Sequence, residues 1–315
     1  MKNWLMFSTL GLIWGSSFLL IKIGVSQLNP LALVSGRTFI ATLGFAAVII
    51  LMRKPIPRDP KILATLILVG VLNTALPFVL ITWGESSIDS GLASVLNGTV
   101  PLFSLVIAHF FLTDDKIHIG KVLGLITGFV GIILLASRSV DPTHPNPLSG
   151  QLAVLCAAIS YAFAAVLIKR NLKNVDLTIT AGVSMFFAVV IVSTVTLFTV
   201  RPLPDLGSLL PEVIIAVVVL GLVNTFIANS FYFRLIKNWG ASRTTMVTYT
   251  VPPTGILLGA IFNGEPIDLK LVIGALLIVG GVALVNLLKP RPKQPIISGT
   301  ETSVPAAAPV SQAAK

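Results

Sequence analysis

Residues 4–25 read WLMFSTLGLIWGSSFLLIKIGV, an apolar run in which Lys22 is the only charged side chain. A helix of about 20 such residues crosses the hydrocarbon core of a bilayer, which is roughly 30 Å thick. Only Lys2 precedes the run as a positive side chain, and no small-residue cleavage site separates it from the next apolar run at Pro30. We therefore interpret the run as a retained transmembrane helix and not as a removed signal peptide.

The same kind of run recurs along the chain. Of 315 residues, 55% are hydrophobic and 11% are charged, whereas soluble domains carry about 25% charged residues. This composition leaves no room for a soluble catalytic domain. Turn-forming residues separate the runs and predict ten helices, at 4–25, 30–52, 61–83, 90–112, 117–137, 149–169, 177–200, 211–233, 241–262 and 267–288. The stretch 290–315 is rich in Pro, Ser, Thr and Ala and predicts a disordered cytoplasmic tail.

Basic residues predict the orientation, because Lys and Arg near helix ends resist translocation. With ten helices both termini lie on one side, and seventeen of the 22 basic residues fall on that side. We therefore predict a protein of the plasma (bacterial inner) membrane with cytoplasmic termini. The extracellular loops are then expected near Gln27, Ser87, Thr143, Leu206 and Gly264. This topology explains the net charge of +10, so we expect membrane lipid and no nucleic acid among the partners.

The sequence repeats itself after about 150 residues. WGSSFLLIK at 14–22 aligns with YAFAAVLIK at 161–169, an offset of 147, and TVP at 99–101 aligns with TVP at 250–252, an offset of 151. The order and near-constant spacing of these matches indicate an internal duplication.

The duplication divides the chain into a first repeat, 1–140, and a second repeat, 149–289. Each contains five predicted helices. Since five is odd, the second repeat enters the membrane from the opposite side, which predicts an all-α polytopic protein made of two inverted five-helix repeats. Inverted repeats are a recurrent transporter design, because either half can open its own end of one central site.

Four stretches in register with the repeat carry a family resemblance: LIWGSSFLLIK at 12–22, GLASVLNGTVP at 91–101, GASRTTMVTYTVPP at 240–253 and FNGEP at 262–266. Together they resemble the drug/metabolite transporter superfamily of EamA type. The resemblance implies a ten-helix, export-type carrier of small metabolites, often amino-acid-like, with a cavity lined by helices 1, 3, 4, 6, 8 and 9.

The sequence departs from that family pattern in one short loop. Asp114-Asp115 stands where the first half usually has a Gly-Glu pair like Gly264-Glu265. The departure weakens the match between the repeats more than it weakens the functional expectation.

Charged residues inside predicted helices are functional candidates, because burying an unpaired charge in a membrane is costly. Arg37 is the first, with two alternatives: it contacts a substrate carboxylate, or it is structural. His109, near the end of helix 4, has either an interfacial role or a role in proton relay. No Asp or Glu lies deep in a predicted helix, which disfavours exchange of protons for lipophilic cations. The solute is therefore expected to be zwitterionic, anionic or neutral.

Asn73 and Asn224 lie at repeat-equivalent positions near the middles of helices 3 and 8. Each amide either lines a solute pocket or makes an interhelical hydrogen bond. Further residues could complete the pocket wall, with simple packing as the alternative for the aromatic ones: Asn97, Trp14, Tyr161, Thr248 and Tyr249.

Two prolines and several absences complete the sequence evidence. Pro101 and Pro252 should kink helices 4 and 9, and kinks can shape a gated cavity. The sequence contains no nucleophile elbow, phosphate loop or metal-ligand spacing, so we expect no enzyme, no cofactor and no metal. The first hypothesis is a monomeric secondary carrier of a small-molecule solute that works by alternating access around a midplane cavity. The alternative is a membrane binding or sensor protein without transport, and a membrane-embedded enzyme ranks last.

Overall fold

The computed structural model describes residues 2–111, 119–140 and 146–287. In these ranges the chain forms helices and no strands, and nine of the helices are long and apolar enough to cross a membrane. A tenth apolar helix contributes the shorter stretch Leu269–Val285. We number them spans 1 to 10 in chain order: Lys2–Gly24, Pro30–Leu51, Pro60–Glu85, Ser90–Phe111, Ile119–Ala136, Leu148–Asn171, Leu177–Thr199, Pro211–Trp239, Thr245–Asn263 and Leu269–Leu287. The ten-helix prediction is confirmed. Asp114-Asp115, Thr143 and the predicted tail lie outside the described residues.

Side-chain caps explain why three spans begin where they do. The Asn29 side chain accepts a hydrogen bond from the backbone N–H of Leu31 at 3.0 Å and so starts span 2. Asp59 accepts from Lys61 N at 2.8 Å at the start of span 3, and Asp176 caps span 7 in the same way. Each cap satisfies an N–H that has no partner inside the helix.

Large apolar side chains cover the outside of the bundle. Ile50, Leu51, Phe110, Phe198 and Ile261 are all exposed. Apolar surface of this extent would be an aggregation hazard in water, whereas in a bilayer it contacts lipid. The protein is therefore an integral membrane protein.

Spans 3 and 8 each contain a π-helical segment, which the sequence analysis did not predict. The segments are Val71–Ala75 in span 3 and Leu220–Ile227 in span 8. They contain Asn73 and Asn224, the two repeat-equivalent amides. A π segment widens the helix locally and frees backbone carbonyls, and such segments occur frequently at functional sites.

Spans 4 and 9 are interrupted near the two prolines. Span 4 consists of Ser90–Asn97 and Val100–Phe111, and Pro101 follows the break directly. In span 9 a 3₁₀ segment, Thr245–Thr250, precedes Pro252, which lies in the first turn of the following α-helix. A proline in a first helical turn removes no hydrogen bond, so each proline starts a new helical segment.

Spans 5 and 10 pack backbone to backbone through glycines. A Cβ atom added to Gly124 would lie 2.5 Å from the carbonyl oxygen of Gly281, and one added to Gly131 would lie 3.0 Å from that of Gly274. The two spans therefore run antiparallel. Gly124 and Gly131 are the repeat equivalents of Gly274 and Gly281, so exchanging the halves converts one contact into the other. A two-fold axis relating two inverted halves produces this pattern.

Candidate solute-binding site

Arg37 of span 2 lies between the two halves of the protein. Its side chain is buried, with only 6% exposed. Its Nε donates a hydrogen bond to Thr225 Oγ1 in span 8 at 2.9 Å, and its guanidinium carbon lies 3.9 Å from the centre of the Phe78 ring in span 3. A hydrogen bond to the second half and a cation–π contact to the first half thus fix the side chain.

The two Nη nitrogens of Arg37, which form the outer fork of its guanidinium group, are available for a further hydrogen-bond partner. Among the described residues, none accepts a hydrogen bond from either Nη nitrogen. Tyr161 and Glu85 interact with Arg37 electrostatically without bonding to it. A guanidinium fork matches the two oxygens of a carboxylate. The geometry therefore provides a positively charged group suited to an anion at the junction of the halves.

Thr225 connects Arg37 to the π segment of span 8. Its hydroxyl accepts from Arg37 and donates to the carbonyl oxygen of Leu220 at 2.7 Å. That carbonyl lies five residues earlier in the chain, within the π segment. The local widening of span 8 thus helps to position the arginine.

Asn224, the neighbour of Thr225, holds span 8 against span 1. Its side chain is buried, and the two hydrogens of its Nδ2 are shared among three acceptors on span 1, namely the Ile13 carbonyl, Ser16 Oγ at 3.1 Å and Ser17 Oγ at 3.0 Å. For this residue the structure therefore shows the interhelical hydrogen bond, one of the two alternatives left open by the sequence.

Asn73 differs from its repeat equivalent. It is half-buried, and its side chain makes no hydrogen bond to any residue in the described ranges. Instead, the carbonyl of the preceding residue, Leu72, accepts a hydrogen bond from Ser160 Oγ of span 6 at 2.7 Å. The Asn73 amide is thus available for a ligand, and its contact with a solute stays a prediction.

Two aromatic candidates lie on the repeat-equivalent spans 1 and 6. Trp14 is half-buried and packs against Tyr232, with 5.3 Å between the ring centres. Tyr161 is half-buried, packs against the main apolar core and interacts electrostatically with Arg37. Tyr161 is therefore close to the arginine, whereas Trp14 packs against Tyr232 and against the apolar core.

The remaining candidates have divergent surroundings. The Asn97 side-chain oxygen is buried without a hydrogen-bond partner in the described part of the chain. Thr248 donates to the carbonyl of Thr245 in its own segment at 2.9 Å. Tyr249 donates to the carbonyl of Val282 in span 10 at 3.0 Å. Since span 10 packs on span 5, the Tyr249 hydroxyl is directed towards that pair, and its expected role in the pocket wall has no support from this contact.

Glu85 is a buried carboxylate that sequence reasoning missed. Helix 3 was predicted to end at residue 83, which placed Glu85 in a loop, but span 3 continues to Glu85. The side chain is completely buried, and neither carboxylate oxygen has a hydrogen-bond partner among the described residues. The sequence predicts no acidic residue deep inside a helix, but it does not predict the buried carboxylate at the end of one.

Lys22 binds the end of span 3. Its Nζ donates to the carbonyl oxygens of Glu85 and Ile88, each at 2.8 Å. Backbone carbonyls at a helix C-terminus carry partial negative charge and attract a cation. Lys22 thus ties span 1 to span 3 and is bound to backbone inside the protein.

Residues of the second half also close the end of the bundle at which Lys22 and Glu85 lie. Both oxygens of Glu265, in the loop after span 9, accept backbone N–H groups at the start of span 4, from Ser90 at 2.8 Å and from Gly91 at 2.9 Å. Arg138 donates to Asp268 Oδ2 at 2.8 Å and to Asp89 Oδ2 at 3.3 Å. We call this set of contacts, together with Lys22, the polar end of the bundle.

In a comparison with known protein families, both halves of the chain match the same family. The profile of the EamA-like transporter family matches residues 2–137 and again residues 148–287. The chain belongs to the EamA-like transporter family. As a member of this family it is a membrane transporter, and the resemblance to the drug/metabolite transporter superfamily is confirmed.

Relatives match over nearly the whole chain. The inner membrane transporter YedA of Escherichia coli K12 is 31% identical over 290 residues, which is 91% of this chain and 92% of YedA. The transporter YoaV of Bacillus subtilis is 28% identical over 272 residues, which is 86% of this chain and 92% of YoaV. A protein of Streptantibioticus cattleyicolor described as a "Probable terminal-alkyne amino-acid exporter" is 27% identical over 281 residues, which is 87% of this chain and 89% of that protein.

A crystal structure of another protein has the same fold. It superposes with a TM-score of 0.64 and 21% identity, over 91% of this chain and 97% of the other. At this identity the similarity supports the fold and nothing further.

Proposed function

We propose that this protein is a secondary carrier that exports a small amino-acid-like solute, or another zwitterionic, anionic or neutral metabolite. The observation that carries the proposal is the buried Arg37 with an unused guanidinium fork at the junction of two inverted halves. A buried guanidinium without an ion pair is unfavourable, and a solute carboxylate would supply the anionic partner.

The surroundings of Arg37 favour an amino-acid-like solute. Tyr161 and the available Asn73 amide can contact an organic solute through an aromatic ring and through hydrogen bonds. The name of the Streptantibioticus cattleyicolor relative refers to an amino acid. A zwitterion needs one strong anion contact together with polar groups for its amine, and we propose that Arg37 supplies the first and the Asn73 amide contributes to the second.

Transport is proposed to follow alternating access, with the protein as a monomer. The polar end joins span 4 of the first half to the loop after span 9 of the second half through Glu265. We propose that this end is extracellular and closed in the described conformation, and that both termini are cytoplasmic, as the distribution of basic residues predicts. Opening would separate Glu265 from the start of span 4.

Solute counterflow in proteoliposomes tests the proposal. Vesicles loaded with a pool of unlabelled L-amino acids should accumulate the corresponding labelled pool. We expect Arg37→Ala to reduce this flux at least tenfold, which corresponds to about 1.4 kcal/mol. Arg37→Lys should rescue it partly, because lysine keeps the charge and loses the fork.

Arg234→Ala is the matched control, since Arg234 is an exposed arginine at the end of span 8. It should leave the flux unchanged. If Arg37→Ala unfolds enough of the protein to account for the loss of flux, Arg37 is structural and the carboxylate contact is wrong. Binding of the pool without any flux would indicate the alternative, a membrane sensor.

Labelling of single cysteines tests the orientation. In a Cys156→Ser background, Ser87→Cys at the polar end should react with an impermeant reagent applied to intact cells, and Arg58→Cys should not. Both positions are exposed, so the outcome depends on the side of the membrane. The opposite labelling pattern would invert the proposed topology.

A further inference from the structure

Glu85 has no role in the function proposed so far, yet its position is unusual. A carboxylate that is completely buried normally has donors to both oxygens, because an ion without them is strongly destabilised in an apolar environment. In the described ranges Glu85 has none. It also ends a helix, where the backbone dipole is negative and disfavours a second negative charge.

The charge of Lys22 acts on Glu85, but Lys22 does not compensate this carboxylate by a hydrogen bond. Lys22 directs two donors to the backbone carbonyls of Glu85 and Ile88 instead. A proton on the Glu85 carboxylate would remove the charge at once, with no rearrangement of the chain. The geometry therefore favours a neutral, protonated side chain in this conformation.

The charged groups around Glu85 come from several elements. Span 1 contributes Lys22, span 2 contributes Arg37, and the loop after span 9 contributes Glu265, which itself is bound to the start of span 4. Span 4 presents Asp89 at its beginning, and this carboxylate is already paired with Arg138. Span 6, which also packs on this part of span 3, carries no charged residue before Lys169.

Arg37 links Glu85 to the proposed solute site. The two side chains interact electrostatically but form no salt bridge between the described atoms. An ionised Glu85 would reduce the positive potential at the guanidinium fork and so weaken the binding of an anion. A protonated Glu85 leaves the full charge of Arg37 for the solute.

We propose that Glu85 is a proton-binding site whose protonation strengthens binding of a solute carboxylate at Arg37. The site takes one proton from water onto the Glu85 carboxylate and returns it when the side chain becomes accessible again. By linkage, binding of the solute anion favours uptake of this proton, and the proton favours the solute to the same degree. The second part of the proposal, the coupling to a solute, rests on the proposed function, whereas the first part does not.

Infrared difference spectroscopy tests the proton site without any solute. The purified protein is titrated across about pH 4 to 9, and the carbonyl-stretching band of protonated carboxylic acids is recorded. We expect a band that persists at neutral pH in the wild type and is lost in Glu85→Gln. Glu212→Gln is the matched control, because Glu212 is an exposed residue in the first turn of span 8, and it should keep the band.

A second variant guards against a folding defect in Glu85→Gln. Glu85→Leu removes the buried polar group altogether and should fold at least as well as the wild type. It should also lose the band. Identical spectra for wild type, Glu85→Gln and Glu85→Leu would overturn the proton site.

The coupling is tested with the pool of L-amino acids. Wild-type affinity should fall by about fivefold or more as the pH rises through the titration of the band, whereas Glu85→Gln should keep the high affinity at all pH values. An affinity with the same pH dependence in both proteins would overturn the coupling. If the pool does not bind while the infrared band behaves as expected, the proposed solute class fails and the proton site stands.

Discussion

The two π segments occupy equivalent places in the two halves but serve different purposes. In span 8, Asn224 is tied to three acceptors on span 1. In span 3, Asn73 has no hydrogen bond to a described residue. The fold is thus duplicated, while the bonding at its centre is not.

The facing helices explain the difference. Ser16 and Ser17 of span 1 accept hydrogen bonds from Asn224, and an offset of 147 places Phe163 and Ala164 at the corresponding positions of span 6. Neither of these side chains can accept a hydrogen bond. These two differences remove the equivalents of two of the three acceptors of Asn224, and the comparison shows how a symmetric fold acquires one fixed wall and one wall that can contact a ligand.

Replacing the two amides separately should give the largest contrast. Asn224→Leu removes the donors to span 1 and places an apolar side chain against two hydroxyls, so we expect a loss of about 2 kcal/mol of stability, from hydrogen bonds worth about 0.6 kcal/mol on average and from imperfect packing. Asn73→Leu should leave stability near wild type and weaken solute binding roughly tenfold. Thermal unfolding in detergent and affinity for the L-amino-acid pool measure the two effects.

This contrast changes an expectation from the sequence. Repeat equivalence alone predicts that both amides contact the solute and that both leucine variants lose affinity in the same way. Equal melting temperatures for the two variants would show that the hydrogen bonds of Asn224 are unimportant and would restore the symmetric interpretation.

The sequence predicts the helices and the duplication but not the bonding at the centre. Apolar runs and caps such as Asn29 determine the spans, because these signals are local. The π segment Val71–Ala75 has no distinctive residues, since its sequence suits an α-helix equally well. Its register depends on packing against neighbouring spans, which a single sequence does not contain.

Two signals in the sequence were available but needed the structure to be interpreted. Ser16 and Ser17 align with Phe163 and Ala164, so the asymmetry of the facing helices can be read from the repeat. Glu85 follows the apolar run of helix 3 directly, yet its burial depends on the turn after it packing inside the bundle, where Ile88 is also buried. Long-range packing of this kind leaves no periodic pattern in the sequence.

Exchanging the facing residues should produce a smaller effect. Ser17→Ala removes one acceptor of Asn224 and should cost about 0.6 kcal/mol of stability. Ala164→Ser places a hydroxyl at the equivalent position of span 6, where it can bind Asn73. We expect solute affinity to fall about threefold, roughly 0.6 kcal/mol, because the amide then has a competing partner. An unchanged affinity in Ala164→Ser would argue that Asn73 does not contact the solute.

The smallest effect is expected where the halves meet away from the π segments. Lys54 of the first half donates to Asp176 Oδ2 of the second half at 2.6 Å, and the carboxylate is half-exposed. Burial of the carboxylate alone would raise its pKa, but the hydrogen bond from Lys54 and those from the backbone N–H groups of Ile179 and Thr178 outweigh this and lower the pKa of Asp176. A group with a lowered folded-state pKa stabilises the fold above its unfolded pKa and loses this contribution as the pH falls through the folded value.

Asp176→Asn tests this contact, because asparagine caps a helix as well as aspartate does and removes only the charge. An exposed ion pair contributes about 0 to 1 kcal/mol, so the variant should melt slightly below wild type at about pH 7. The two proteins should melt together once the pH has fallen below the lowered pKa of the Asp176 carboxylate, where the wild type has also lost its charge. The difference at neutral pH should also shrink in high salt, since screening weakens exposed pairs. A difference that persists in acid would instead assign the stability to the geometry of the cap. In either case solute affinity should not change, because this junction lies outside the proposed site. A change in affinity would mean that the fixed wall at Asn224 and the available wall at Asn73 are coupled through the ends of spans 2 and 7.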